Sequence, residues 1–423
     1  VPGKAKNVIF VFLEGGPSAQ DTFDYKPEMN RLNGTPPPAE QRYERALGLL
    51  GSPFPFKQHG KSGLWVSSLF DKLATAHADD LAVINSLHHG NNDHNTATIQ
   101  MHTGEPRLVR PCVGSWVTYG LGAETQDLPA FVAIAPILKY YRSYTAGFMP
   151  DVYSATPLAP AVGDRRGLPI ADAASPRLGS AAQRKQIDLV QAMNRDYAAA
   201  HPDDSRLDAV IESFERGFAM QTSVPDVVDL SREDKATLDL YGLGAGGKGG
   251  DIAARLLLAR RLVGKGVRFV EVNYGNWDHH SNLADGLTKM CGPLDAALTA
   301  LFTDLKQRGM FNDTVVMVGG EFGRTSAAEN VNGSKPDAAR GRDHNGKGFT
   351  YLLAGGGAKG GQRYGATDDL GFAAVKDKAS PFDLYATLLA LLGLDPHKLT
   401  YRYAGRDYTL PDVHGQVIKP IVG

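Results

Sequence analysis

Five segments spread along the chain concentrate side chains that bind metals and anions. They are "EGGPSAQDTFD" (14–24), "LHHGNNDHNT" (87–96), "YGNWDHHSN" (274–282), "EFGRTS" (321–326) and "GRDHNGKG" (341–348). With His102, at the far end of "NNDHNTATIQMHTGE" (91–105), they hold seven of the 12 histidines: His88, His89, His94, His102, His279, His280 and His344. Alternate residues of an extended segment point the same way, so Asp278 and His280 can share one ion. Glu321 offers a carboxylate, with Arg324 and Thr325 one turn on, and an arginine fork matches two oxygens of an anion. Arg342, Asp343, His344 and Asn345 sit in a glycine-flanked loop. Glu14 precedes Gly15-Gly16, which let a backbone approach a ligand closely. Each segment also has a plain reading: an Asp capping a turn, a surface salt bridge, an exposed polar loop. Convergence on one site explains all five together.

The expected site therefore has Glu14, Asp278, His280, Glu321, Asp343 and His344 as metal ligands. His94, His89, Arg324 and Arg342 are the catalytic candidates, and Asn92, Thr325, Asn345 and His279 the substrate contacts. Mixed carboxylate and imidazole donors favour zinc or manganese over calcium, which prefers oxygen. A divalent metal beside arginine suits phosphoryl or sulfuryl transfer, where positioning and charge stabilisation dominate.

Something must bring these segments together. Apolar runs at 7–13, 81–86, 130–135, 267–273, 314–320 and 349–355 read as strands with two hydrophobic faces, as a sheet covered on both sides requires. Helical patterns span 64–77, 181–200, 204–221, 251–264, 284–309 and 382–392, and a short helix follows His94 and ends at Thr103-Gly104. This alternation predicts an α/β sandwich. Ligands of open α/β sheets bind beyond the carboxyl ends of strands. Four of the five segments follow such an end, and "GRDHNGKG" immediately precedes the strand 349–355.

Glycine- and proline-rich stretches at 33–40 and 242–250 read as loops, and no linker splits the chain, so 1–423 is expected to be one domain. The 423 residues suffice for a large core. A formal net charge of -1 argues against a nucleic-acid binder, which needs a basic face. No run of 18 apolar residues is present, so no membrane span is expected. Cys112 and Cys291 are too few for a disulfide scaffold or a cysteine metal site. The opening "VPGKAKNVIF" fits either a mature form after removal of an export signal or a trimmed chain.

Several stretches carry a family resemblance: "FLEGGPSAQDTFDYKP", "GSWVTYGLG", "GGEFGRT", "GRDHN", "LLAGGGAKGGQRYGATDD" and "LTYRYAGRDY". Nearly end to end, the chain resembles the exported bacterial "domain of unknown function 1501" family. That family is similar to the alkaline phosphatase superfamily, which includes sulfatases, phosphodiesterases and phosphoglycerate mutases. The resemblance implies a three-layer sandwich, a central mixed sheet between helices, with one or two metal ions at the strand ends. It places Glu14 at the carboxylate ending the first strand, with Asp24 as a nearby spare. "NWDHH" resembles the Asp-and-His metal segment, more tightly spaced. Glu321 takes an acid position, Phe322 stands where a second ligand would follow, and His344 resembles the late histidine ligand.

In the superfamily the nucleophile lies nine residues before the Thr of a Thr-Gly pair. Here that position is His94. Three roles stay open for it: a nucleophile, a metal ligand, or a structural residue at a helix start. Thr96 is the nearest hydroxyl. The resemblance also implies export to the periplasm or beyond. It points to hydrolysis of sulfate esters, foremost of carbohydrates, or of phosphomonoesters and phosphodiesters. The rival class is a non-catalytic binder of anionic glycans.

Overall fold

The computed structural model describes residues 3, 5–42, 46–125, 127–158, 179–200, 225–329, 340–412 and 414–422. The elements used below are the strands β1 (Asn7–Phe12), β2 (Ala46–Leu49), β3 (Ala82–Leu87), β4 (Phe131–Ile134), β5 (Thr156–Leu158), β6 (Phe269–Asn273), β7 (Thr314–Gly319), β8 (Gly323–Glu329), β9 (Gly341–Asn345), β10 (Phe349–Gly355) and β11 (Gln362–Tyr364). The helices are α1 (Asp71–His77), α2 (His94–Thr103), α3 (Val113–Leu121), α4 (Ser180–Ala200), α5 (Gly250–Gly264), α6 (Leu283–Gln307) and α7 (Pro381–Leu391).

Eight strands form the central sheet in the order β11-β3-β10-β7-β1-β6-β4-β5. All pairings are parallel except those of β10, which runs against both β3 and β7. The sheet is thus mixed, as expected. Its two faces are separately covered. On one, Ile9, Val11, Val270, Val272, Val316 and Val318 pack with α5 and α6; on the other, Val8, Phe10, Phe12, Phe269, Val315 and Met317 pack with α2, α3 and α7. Alternate residues of one strand feed opposite cores, which is why β1 reads as an unbroken apolar run. Each such fully buried side chain contributes about 1.5–3 kcal/mol of burial free energy.

All six predicted sheet strands are present, and β5 and β11 add short edges that three-residue stretches do not announce. The expected helix over 64–77 is corrected. Leu64–Ser67 is a strand paired with Phe56–His59, and a 3-10 turn over Ser68–Phe70 leads into α1. Ser67 ends that strand by accepting the Leu69 N–H on its hydroxyl. The expected helix over 204–221 lies outside the described residues.

A second, three-stranded antiparallel sheet, β9-β8-β2, was not foreseen. The segment "EFGRTS", expected only to follow a strand, and "GRDHN", expected as a loop, contribute its strands β8 and β9. Their glycines and Asx residues do not look like strand. The pairing sets Arg324 opposite His344, so both side chains project to the same side. Cys112 and Cys291 are both buried and unpaired. No helix among the described residues is long and apolar enough to cross a membrane.

Candidate metal centre

The loop 274–280 leaves β6 at the carboxyl end of the central sheet. Its Asp278 is the focus of the site. Three imidazoles present Nε2 to its carboxylate: His94 at 3.3 Å from Oδ2, and His280 at 2.8 Å and His344 at 3.1 Å from Oδ1. The Nε2 atoms of His280 and His344 are 3.0 Å apart, so both cannot carry a proton. His94 Nε2 is buried and makes no well-aligned hydrogen bond.

The same three rings are each held from behind at Nδ1. His94 donates to Glu321 Oε1, His280 to Glu329 Oε2, and His344 to the carbonyl of Asn92 at 2.8 Å. An Nδ1–H fixed in this way leaves Nε2 as the ligating atom and raises its basicity. Glu321 is fully buried and is itself fixed by the Gly15 N–H at 3.0 and 3.2 Å. Gly15 has φ +117°, and a Cβ there would fall 2.5 Å from the Asp278 nitrogen, so only glycine fits. Gly15 is expected from sequence to let the backbone approach a ligand; what it approaches closely is the backbone of Trp277 and Asp278.

Each element delivers its residue for a local reason. Asp93 caps α2 by accepting the Thr96 N–H at 2.9 Å, and Gly104 (φ 77°) ends it, which fixes His94 in the first turn. Arg324, fully buried, donates to Asp278 Oδ1 at 2.5 Å and to the carbonyls of Gly15, Gly16 (2.8 Å) and Arg342 (3.0 Å). Phe322 packs against both His94 and His344, with ring centroids 4.8 and 4.6 Å away. It is a wall of the site in the slot expected of a ligand.

Electrostatics follow from this geometry. Burial lowers the His94 pKa, but its bonds to Asp278 and Glu321 outweigh this and raise it to about 9. His280 is also raised, first by its bond to Asp278, against burial, and then by Glu329. Burial pushes the Asp278 carboxyl up, yet the three histidines and Arg324 hold it far below the usual range. Without a metal, protons on imidazole balance the buried carboxylates. A divalent cation would replace them.

The donor set fits such an ion. His94, Asp278 and His344 offer ligand atoms all within 4.8 Å of one another, as do His280, Asp343 and His344. A tetrahedral zinc with bonds of about 2.0–2.1 Å has ligand–ligand edges of roughly 3.3 Å, close to the spacings around Asp278. His94, His280, His344 and Asp278 would hold it, with Asp343 at the rim.

Other expected residues are placed differently. Glu321 braces His94 at Nδ1 through Oε1, and both its oxygens accept from the Gly15 N–H. The side chain of Glu14 faces Lys139 at 3.1 Å and Tyr140 at 3.4 Å. Asp24 pairs with Lys26 at 3.1 Å, away from the cluster. Arg342 is a correction: it is fully buried and bound to Asp21 at 2.8 and 3.2 Å and to the Leu50 carbonyl, so it cannot meet substrate. Arg324 is likewise corrected from anion binder to support of Asp278, since its donors are spent inside. His89 donates from Nε2 to the Glu321 carbonyl at 2.6 Å, and burial lowers its pKa, so it braces the Glu321 backbone. His279 packs its ring on Gly286, and burial lowers its pKa too. Thr325 bonds Ala327 and Asp343 backbone, Asn345 bonds the Phe372 carbonyl, and Asn92 accepts the Gly346 N–H at 2.7 Å. All three hold backbone groups, and Asn92 is also exposed. Thr96 bonds within its own cap.

Two partners escaped sequence reasoning. Glu329 lies eight residues past Glu321 in no recognisable motif, and the Asn92 carbonyl is a backbone group that no side-chain pattern reports.

A family model for "Protein of unknown function (DUF1501)" matches residues 5–422. The chain belongs to this family. No curated protein matches the DUF1501 chain in sequence. Among solved structures it is similar to Ps i-CgsB in complex with k-i-k-neocarrahexaose (10% identity, 92% of this chain and 72% of that one, TM-score 0.40). It is also similar to the lipoteichoic acid synthase LtaP from Listeria monocytogenes (12%, 97% and 75%, 0.40). A third is the alkaline phosphatase from the Antarctic bacterium TAB5 (10%, 92% and 99%, 0.38).

Proposed function

We propose that this DUF1501 protein is an exported, divalent-metal-dependent hydrolase of sulfate or phosphate esters, sulfate esters of carbohydrates first, with the whole chain as one hydrolase domain. The observation that carries the reading is the set of three histidines, each backed at Nδ1 and each aiming Nε2 at Asp278. Such doubly constrained imidazoles are the usual means of holding a catalytic metal, and zinc is the ion this donor set suits best. The quoted motifs that resemble the alkaline phosphatase superfamily supply the ester chemistry.

When bound, the metal supplies Lewis acidity and a lowered pKa for water. The protein's own contributions are positional. Glu321 and Glu329 fix the tautomers of His94 and His280. Arg324 anchors Asp278 and shares its charge. Phe322 keeps one side of the site dry. His94 has the surroundings of a ligand: a nucleophilic imidazole needs a free nitrogen facing substrate, and both of its nitrogens face carboxylates.

The test is metal analysis of the purified protein followed by a screen of aryl sulfates, aryl phosphates and sulfated glycans, with and without zinc. Stoichiometric zinc and zinc-dependent turnover support the reading. Metal without turnover of any ester favours a binder of anionic glycans, and phosphate-only turnover favours the phosphatase alternative.

A further inference from the structure

Arg324 and Arg342 are sealed inside, so neither offers its charge to an anionic ester. A solvent-facing cation stands instead on the 3-10 segment Leu138–Tyr144, which packs beside α2. Lys139 stands there with its side chain 64% exposed, its ammonium 3.1 Å from Glu14 Oε1 and 4.6 Å from the Tyr140 ring centre. The Tyr140 hydroxyl is 3.4 Å from the same oxygen. Glu14 is one residue from Gly15, whose N–H holds Glu321 and whose Cα abuts the Asp278 backbone. Burial raises the Tyr140 pKa, Lys139 lowers it, and both Glu14 and Glu321 raise it, so the phenol lies within the field of both carboxylates.

We propose that Lys139 and the Tyr140 hydroxyl form the oxyanion-binding pair of this site, with the Glu14 carboxylate occupying the ammonium until a sulfate or phosphate oxygen displaces it. The inference rests on the ester-hydrolase reading. Three physical points support it. The Lys139 ammonium reaches solvent, so its pair with the partly buried Glu14 is cheaper to break than the fully buried pair of Arg342 with Asp21. A flexible ammonium keeps three donors and can exchange one carboxylate oxygen for another anion's. Tyr140 is buried with only its tip at Glu14, so it presents a fixed donor beside a mobile one.

The test uses the full chain loaded with zinc and measures binding of inorganic phosphate and inorganic sulfate by titration calorimetry, with zinc content determined on each sample. K139M is expected to weaken anion binding at least ~10-fold, the worth of a charged hydrogen bond, with zinc content unchanged. K139R should recover most of that loss. E14Q should strengthen anion binding, because it frees the ammonium. K347M alters an exposed cation three residues past His344 and should change nothing. Wild-type affinity in K139M, no anion binding by the wild type, or loss of zinc from K139M would each overturn the inference. Anion binding through Lys139 with no turnover of any ester would instead sink the hydrolase reading and leave this inference standing. Zinc-dependent turnover unaffected in K139M would do the reverse.

Discussion

The proton on His94 is the most telling feature at the scale of single residues. In the metal-free protein its pKa rises from 6.5 to about 9. A raised folded-state value means the proton's stabilisation is complete below pH 6.5 and is lost as pH climbs through about 9. Metal-free protein should therefore lose thermal stability between those values, while zinc-loaded protein should not; a scan of Tm against pH in chelator and in zinc checks this. The same proton competes with zinc, so zinc affinity should increase over that interval. His94→Ala should lose zinc and turnover together and yield no acid-labile adduct after rapid quench with substrate. Zinc retained alongside a trapped adduct in the wild type would restore the nucleophile reading. Glu329→Gln should lower zinc affinity about 10–100-fold, as removal of a partner behind a ligand does, without moving the overall fold by circular dichroism. Residue types were legible: Asp278, His280 and His344 stood out by chemistry alone. Which nitrogen faces the ion was not, because that depends on Glu329 and on a carbonyl.

At the scale of elements, the small sheet β9-β8-β2 is the feature that builds the centre. It brings Arg324, Glu329 and His344 to a loop of the large sheet. Arg342 fastens it, through Asp21 and the Leu50 carbonyl, to the segment after β1 and to the end of β2. Replacing Arg342 with Met should destabilise the protein by about 3–5 kcal/mol, because it leaves Asp21 buried and unpaired, and denaturant titration would read this. A loss of phosphate affinity with unchanged stability would mean that Arg342 meets substrate after all. The large sheet was legible since its strands are apolar on both faces. The small sheet was not, since Gly, Asp and Asn in "GRDHN" signal turns, and only pairing with β8 extends them. Leu64–Ser67 shows the opposite error: an apolar run of ambiguous period was read as helix, and its hairpin partner at 56–59 decided the matter.

At the scale of the whole molecule, the centre gathers residues from α2, from the loop after β6, and from β8 and β9, between positions 94 and 344 of the chain. No local stretch holds enough ligands to bind an ion alone. Zinc should therefore bind only the folded chain and raise its stability by mass action, about 2.7 kcal/mol at free zinc one hundred times Kd. Sequence reasoning found the convergence because five polar segments fall at strand ends; it missed the order of contact, since bracing and ligating carboxylates look alike in one dimension. The central claim is a single ion among His94, His280, His344 and Asp278. The most direct test is a crystal of the zinc-loaded protein measured at the zinc absorption edge. The account predicts one anomalous peak about 2.0–2.2 Å from the three Nε2 atoms and an Asp278 oxygen. A peak held by Glu14 and Glu321 without His94, or no peak in excess zinc, would contradict it.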